Sequence, residues 1–355
     1  MFFLFIKFLF LFYLFLFFYL FFIFNFIIYF LFIIFRFDPI CSNEQLIVVP
    51  ISKASAAQRM GRAGRVKNGK CYRLYTQKAF ESLEDKSESE IERCNLAFTF
   101  LQLKALGIED LLGFHYLTPP TYKSTLKALE TLHLLGALDE NGKLTAPLGN
   151  NMAELPCDNP FMSKMLLNSI EMGCTKEIVT IASMLSTPNI FNSSKGAKIA
   201  TDKSRSYFSV VEGDHFTLLN IYNSFIHNKK SKTWCNSLHL NYKALCQVSS
   251  VRKQYLSYLK KFGSTTGSSD DLSLITKCII SGYFPNAAVL QKDGSSFQTI
   301  RGDFTVLVHP NSVYFKCSVM PKYVIFYDIV HTTQPYMNNI IEINPDFLSP
   351  YYNVK

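Results

Sequence analysis

The sequence predicts a multidomain α+β chain: a short α/β segment, a helix-and-wing domain, a helical bundle and a small β-barrel. Three observations predict it. A β-branched run, Leu46-Ile-Val-Val-Pro50, leads straight into a helical stretch rich in Arg and Gly. Apolar residues then recur at helical spacing from about residue 90 to residue 262. After that come short alternating strands punctuated by Asp293-Gly294 and Gly302-Asp303. A chain of 355 residues suggests two or three domains. Its net charge of +9 fits a polyanionic partner without choosing between nucleic acid and membrane. Its nine cysteines include no C-x-x-C pair, which points to free thiols in a reducing compartment and away from a zinc site or disulfide framework.

Residues 1–36 are almost wholly Phe, Leu, Ile and Tyr, broken only by Lys7, Asn25 and Arg36. A transmembrane helix needs about 20 apolar residues, and this run is far longer. A signal peptide would have a shorter apolar region and a small-residue cleavage site, and nothing like A-x-A precedes Asp38. A buried core helix would show a polar face or a cap. The favoured reading is translated low-complexity DNA, because these residues have T- and A-rich codons. Any membrane partner rests on this segment alone.

Residues 37–81 follow as strand, helix, turn and strand. Ser52 and Ser55 are candidate helix caps, and Ser55 with Gln58 fits a capping box. On a continuous helix Gln58, Arg62 and Arg65 share one face, with Gly61 and Gly64 on or near it. Glycine costs about 1 kcal/mol in a helix interior, so two of them there suggest close approach to the backbone. An amide flanked by two permanently charged guanidinium groups suits a multiply charged phosphate. A basic loop that binds RNA phosphates without catalysis is the plainer alternative. Asn68-Gly69 reads as a hairpin turn and Cys71–Tyr75 as the strand after it.

Gln58-Arg-Met-Gly-Arg-Ala-Gly-Arg65 resembles motif VI of DEAH-box RNA helicases, and the surrounding segment resembles the end of their second RecA-like domain. The resemblance implies that Arg62 and Arg65 are arginine fingers on the ATP γ-phosphate, and that Gln58 positions that phosphate and the attacking water, with Gly61 part of the same nucleotide-facing set. The sequence has no G-x-x-x-x-G-K-[ST] loop and no D-E-A-H string for Mg²⁺. The family uses ATP and Mg²⁺, but this chain alone is expected to bind neither and to hydrolyse no ATP.

Residues 82–150 read as a winged helix. Ser87–Glu90 is a capping box for a helix expected to run to about Gly107. A second helix spans Tyr122–Leu135, and Asn141-Gly142 turns a wing between Ala137–Asp139 and Lys143–Thr145. The second helix carries only Lys123 and Lys127 against Glu130, which argues against DNA readout. The stretch Asn95–Ile108 resembles the family's winged helix, a structural hub where glycine-patch activator proteins dock.

Residues 151–262 read as a helical bundle: Pro160 to Gly173, Thr175–Leu185, Phe216–Phe225 and Asn241–Phe262, with a basic loop over 192–206. Asp214 beside His215 raises a general-base idea. The favoured reading is a helix cap next to a satisfied histidine. The strings Phe161–Leu167, Glu212–Asn220 and Asn241–Leu245 resemble the family's ratchet-like domain, which lines the RNA channel. That implies an RNA contact for Arg252.

Residues 263–350 read as a linker, Ser264–Asp271, a helix from Leu272 to Gly282 and a β-barrel. The strands are expected at Ala287–Gln291, Phe297–Ile300, Phe304–Val308, Tyr323–Asp328 and Asn339–Ile343. Ile280–Ala288 and His309–Ser312 resemble the family's OB-fold, which contacts RNA chiefly through its backbone and also meets activators. Arg301, Lys316, Lys322, Tyr314 and Tyr323 are candidate contacts. The resemblance runs from about Asp38 to Pro345 and is nearest the spliceosome-associated branch. It implies RNA and spliceosomal proteins as partners and the nucleus, or else the cytoplasm, as location. A non-catalytic RNA- or protein-binding adaptor is the alternative function.

Overall fold

The computed structural model describes residues 31–38, 43–63, 65–66, 68–192, 198–263, 266–331 and 334–352. Most of the apolar run therefore lies outside the described residues, as does Gly64. Among the described residues no helix is long and apolar enough to cross a membrane. The chain divides into two compact units with the boundary at Cys94/Asn95; Asp38–Glu44 groups with the second.

Strands β1 (Leu31–Asp38) and β2 (Asn43–Pro50), most of whose residues belong to the first unit, form a two-stranded sheet. The motif helix, α1 (Lys53–Met60), starts at Ser52, whose hydroxyl accepts the Ser55 N–H at 3.1 Å. Ser52 is thus the cap, and the expected Ser55–Gln58 box does not form. Helices α2 (Gln77–Glu81) and α3 (Glu90–Arg93) follow among its described residues. Leu83 packs with Ile51 and Ala56, Lys53 pairs with Asp85, and Ser52 bonds Ser87. Residues 82–94, read from sequence as the start of the winged helix, therefore belong to this unit. Cys71–Tyr75 forms no strand, so no hairpin closes on Asn68-Gly69; a strand persists only where a neighbour takes its hydrogen bonds.

The second unit opens with α4 (Ala97–Ala105), so the single helix expected up to Gly107 is broken at Cys94–Leu96. Then comes α5 (Tyr122–Leu134), capped by Thr121, whose hydroxyl accepts the Ser124 N–H. The wing is short: Leu138 bridges Leu144, and the Asp139 N–H donates to Lys143 O. Helix α6 (Leu148–Glu154) closes this domain around Phe100, Leu101, Leu132 and Met152, all fully buried.

The bundle comprises α7 (Pro160–Glu171), α8 (Thr175–Leu185), α9 (Lys198–Phe208), α10 (Asp214–His227), α11 (Lys232–Ser237) and α12 (Tyr242–Lys261). Its core gathers Phe208, Ile221, Phe225, Leu240, Leu245 and Val248. Helix α9 replaces most of the basic loop expected at 192–206. Its buried stripe is Thr201, Ser204 and Phe208, and two polar members hide the helical period. The linker's described end is tied down, with Gly267 O accepting the Lys176 N–H and Ser268 donating to Glu177.

Helix α13 (Leu272–Tyr283) runs against α7, where a side chain at Gly282 would sit 2.3 Å from Phe161 O. It leads into a closed barrel of β3 (Ala287–Leu290), β4 (Ser296–Thr299), β5 (Thr305–Val308), β6 (Tyr323–His331) and β7 (Pro335–Glu342). The order around it is β3-β4-β5-β7-β6. All pairs are antiparallel except β5 with β7, which sets Leu307 beside Tyr336. Closing the sheet removes the exposed edges an open one would leave. Phe297, Val306, Val324, Met337 and Ile340 fill the interior.

Candidate functional site

The first candidate is the arginine-rich end of α1. The helix stops at Met60, and Gly61 is its C-cap: the Gly61 N–H donates to Ala57 O and the Arg62 N–H to Arg59 O. Arg62 therefore lies in the following turn and Arg65 in a bend beyond it, not on a continued helix face. The reason is local: glycine ends helices more readily than it extends them. Gln58, Gly61, Arg62 and Arg65 are all exposed. A side chain added at Gly61 would meet only ordinary contacts, at 3.5 Å from Gln58 O, so none of the described residues presses on that backbone. The group is thus a solvent-facing cluster of one amide and two guanidinium side chains.

The second candidate is a cleft of about 950 Å³ in the second unit, between the bundle and the barrel. One wall comes from the end of α8 and the loop to Phe191, and a second from α9 and α10. The barrel supplies the third through His309, Asn311, Tyr327 and Asn338. What joins bundle to barrel at its floor is Gly213-Asp214. Gly213 sits at φ +129° and bridges Ile341; a side chain there would be 2.7 Å from Ile340 O. Next to it the buried Asp214 carboxylate accepts the N–H groups of Val313 and Ile340, each at 2.8 Å. Both oxygens are so committed to the barrel. Burial raises its pKa, and the two backbone bonds work against that rise.

His215, read from sequence as satisfied, is fully buried with neither ring nitrogen hydrogen-bonded. Burial pushes its pKa down to about 4, so it stays neutral. Asp214 is thus a tie between domains and does not cap its helix, and His215 is a packing group. The sequence signal available was Gly before Asp at a helix start, which suggests a close approach but cannot name the partner.

Arg205 borders the cleft. Its guanidinium lies 4.9 Å from the centre of the Phe191 ring and donates to Asn311 Oδ1. Sequence reasoning missed it by assigning it to a loop. Burial lowers the His309 pKa, and the neighbouring Arg205 charge adds to that effect. The His309 Nδ1 accepts the Asn311 N–H at 3.1 Å, which leaves the proton on Nε2.

The three basic residues singled out from sequence lie elsewhere. Arg252 donates through Nε to Thr180 at 2.8 Å, between α12 and α8. Arg301 pairs with Glu130 of α5. Lys322 is exposed beside the Tyr323 ring and borders a second, smaller hollow. None of them lines the 950 Å³ cleft. Tyr314 is buried, donating to Val211 O and accepting the Glu342 N–H, so it holds the barrel to the bundle. No group of His, Cys, Asp and Glu among the described residues is arranged to hold a metal ion.

A winged helix, a helical bundle and an OB barrel, in that order behind an exposed Gln/Arg cluster, define the accessory region of a helicase. Family models agree: "Helicase associated domain (HA2), winged-helix" matches residues 128–157, "Helicase associated domain (HA2), ratchet-like" matches 159–218, and "Oligonucleotide/oligosaccharide-binding (OB)-fold" matches 275–352. The chain is 44% identical to the human "Probable ATP-dependent RNA helicase DHX35" over 88% of its own length and 44% of that protein's. It is 40% identical to the Caenorhabditis elegans DHX35 homolog, over 87% of this chain and 42% of the relative. With the Schizosaccharomyces pombe "Pre-mRNA-splicing factor ATP-dependent RNA helicase prp22" it shares 38% identity over 88% of this chain and 26% of that one. The chain belongs to the DEAH-box RNA helicases and corresponds to their C-terminal portion. It spans less than half the length of these relatives.

Proposed function

We propose that this chain is the RNA-engaging part of an ATP-dependent RNA helicase acting in pre-mRNA splicing, in the nucleus. The observation that carries the reading is the cleft shared by bundle and barrel, which offers a single strand a path walled by both. The names of the fission yeast and human relatives support splicing and ATP dependence. In this reading Arg62 and Arg65 meet the γ-phosphate of ATP and Gln58 orients the attacking water; bound ATP with Mg²⁺ supplies the phosphoryl group whose transfer drives stepping. The exposure of all three side chains fits a surface that a nucleotide held by other elements would face. Arg252, Arg301 and Lys322 remain candidates for RNA contact; for Arg252 and Arg301 this requires release from Thr180 and Glu130. A glycine-patch activator would dock on the winged helix, a reading supported by the exposed Leu106, Leu117 and Leu126.

Since the sequence contains neither a phosphate-binding loop nor a D-E-A-H string, the 355-residue chain by itself is expected to bind single-stranded RNA and to show no RNA-stimulated ATP hydrolysis. Fluorescence anisotropy with a labelled 12-mer and a phosphate-release assay check the two halves of this statement. Absence of RNA binding would remove the RNA-engaging role, and measurable turnover would overturn the assignment of Arg62 and Arg65 as half of a nucleotide site.

A further inference from the structure

Residues 215–269 contain eight lysines and arginines and not one acid. The whole chain has a net charge of +9, so this stretch holds +8 of it and the other 300 residues only +1. So uneven a balance makes a local positive field that attracts a polyanion. The stretch spans almost all of α10, then α11 and α12. Its charges are not equally free. Arg252 is bonded to Thr180, and Lys261 pairs with Glu154. Lys229, Lys230, Lys232 and Lys243 are exposed, and among the described residues no carboxylate pairs with any of them.

These four lysines share one end of the bundle. Helix α10 starts at the joint with the barrel and, with 14 residues, runs about 20 Å before it ends at His227. Lys229 and Lys230 lie in the turn after it, and Lys232 opens α11. The Lys230 N–H donates to Phe225 O, and the Phe225 ring lies 6.3 Å from that of Tyr242, next to Lys243. The connection into α12 is tied to the cleft wall: the Asn241 N–H donates to Ile190 O and the Asn192 N–H to His239 O, each at 2.8 Å. The basic end thus adjoins the rim of the cleft, while none of its four lysines lines it.

The turn is held in an unusual form. Lys229 and Lys230 sit at φ +53° and +55°, two successive left-handed residues where Gly or Asn is the ordinary choice. Such conformations cluster where ligands are held. Their own N–H groups are spent on Ile226 O and Phe225 O, so the turn offers a ligand its ammonium groups. Ammonium groups on flexible stems bind phosphates as point charges, without regard to base. Protein–protein interfaces are depleted of lysine, whereas nucleic-acid interfaces are rich in positive charge.

We infer that Lys229, Lys230, Lys232 and Lys243 form a second RNA-binding surface, outside the cleft, which holds the sugar–phosphate backbone of the strand flanking the segment in the cleft. This rests on the chain engaging RNA, as proposed above.

The test uses the full chain and a fluorescein-labelled 24-mer of uridine, with affinity measured by anisotropy over a series of salt concentrations. The tip variant carries Lys229→Gln, Lys230→Gln, Lys232→Gln and Lys243→Gln. A control variant loses the same net charge at exposed lysines elsewhere: Lys86→Gln, Lys143→Gln, Lys176→Gln and Lys292→Gln. Each phosphate neutralised on a single strand steepens the dependence of log K on log salt by about 0.7. The tip variant is therefore expected to lose about 2–3 from that slope and to bind at least about tenfold more weakly, with the control within about twofold of the unaltered chain. A second readout needs no substitution. Trp234, the one tryptophan of the sequence, lies half-buried two residues after Lys232, and its fluorescence is expected to be quenched as unlabelled RNA binds. An unaltered slope in the tip variant, or no quenching of Trp234 at saturation, would overturn the inference and leave RNA engagement standing. Equal losses in tip and control variants would reduce the effect to net charge and overturn it as well. Tighter binding of a 24-residue polyglutamate than of the RNA would assign the surface to an acidic protein segment instead. No binding of RNA by the unaltered chain would overturn both the inference and the RNA-engaging role.

Discussion

The motif helix packs Ala56 against Ile51 and Leu83 with Phe80 alongside, whereas the bundle around Phe225 gathers eleven buried side chains into one cluster. Fully burying a large apolar side chain contributes about 1.5–3 kcal/mol, and ordering each residue's backbone costs about 1–2 kcal/mol. Among the described residues of that unit four hydrophobic side chains are buried, Phe37, Ile51, Ala56 and Leu83, while Val66, Tyr72 and Leu74 are exposed. The second unit has several such clusters and a closed barrel. The difference teaches that, among the described residues, those around the Gln/Arg motif gather a smaller apolar cluster than those of the bundle. Under the proposed function this fits a motif that must stay accessible to a nucleotide and an RNA path that needs a rigid support.

The sharpest way to break this contrast is at the joint between bundle and barrel. Gly213→Val places a branched side chain at φ +129° and within 2.9 Å of Ile341 Cα. It should cost the second unit about 3 kcal/mol or more, from backbone strain and the clash together. Urea unfolding followed by the fluorescence of Trp234 measures this. A loss below about 1 kcal/mol would mean the joint is loose.

Next in size is the pH response of His215. Its folded-state pKa, about 4, lies below the unfolded value of 6.5. The unfolded chain therefore takes up the proton first, and stability falls as pH drops from 6.5 towards 4. Between pH 7 and pH 5 the second unit should lose about 2 kcal/mol through this group. His215→Leu should remove that slope, measured as urea midpoints at the two pH values. The first unit has no buried histidine among its described residues, so its response should be flat over the same range.

The smallest effect falls in the first unit. Ser52→Ala removes the cap on the motif helix and the bond to Ser87, at a cost of about 1 kcal/mol. Hydrogen exchange at the amides of Ser55 and Ala56 should quicken, while the urea midpoint of the second unit stays where it was. A shift in that midpoint would show that the units do not unfold independently.

Much of this architecture was legible in the residues. Thr175–Leu185 was bounded correctly by its apolar period and Pro188, and the turns at Asp293-Gly294 and Gly302-Asp303 placed β3, β4 and β5 to within a residue; β6, however, runs on to His331 and β7 starts at Pro335 where Asn339 was expected. Other elements were hidden by their composition. Helix α9 buries Thr201 and Ser204, which read as surface residues, and Lys232–Ser237 is too short to show a period. At the candidate sites the sequence pointed to Gln58, Arg62 and Arg65 as a group. The glycine at 61 was available as a stop signal but was read as a close approach within a continued helix, and nothing in the sequence indicated that Arg205 lies over the Phe191 ring.

Residues close in the chain were enough to suggest the order of domains and the Gln/Arg cluster and, through the resemblance of Gln58–Arg65 to a known motif, the family. Each depends on residues close together in the chain, where spacing and caps act directly. Only the tertiary structure decided that Asp214 spends both oxygens on Val313 and Ile340, that Arg301 meets Glu130, and that Arg205, His309 and Asp214 line one cleft. Those partners lie from about one hundred to about one hundred and seventy residues apart, and hydrogen bonds at such separation exist only once burial has brought the elements together.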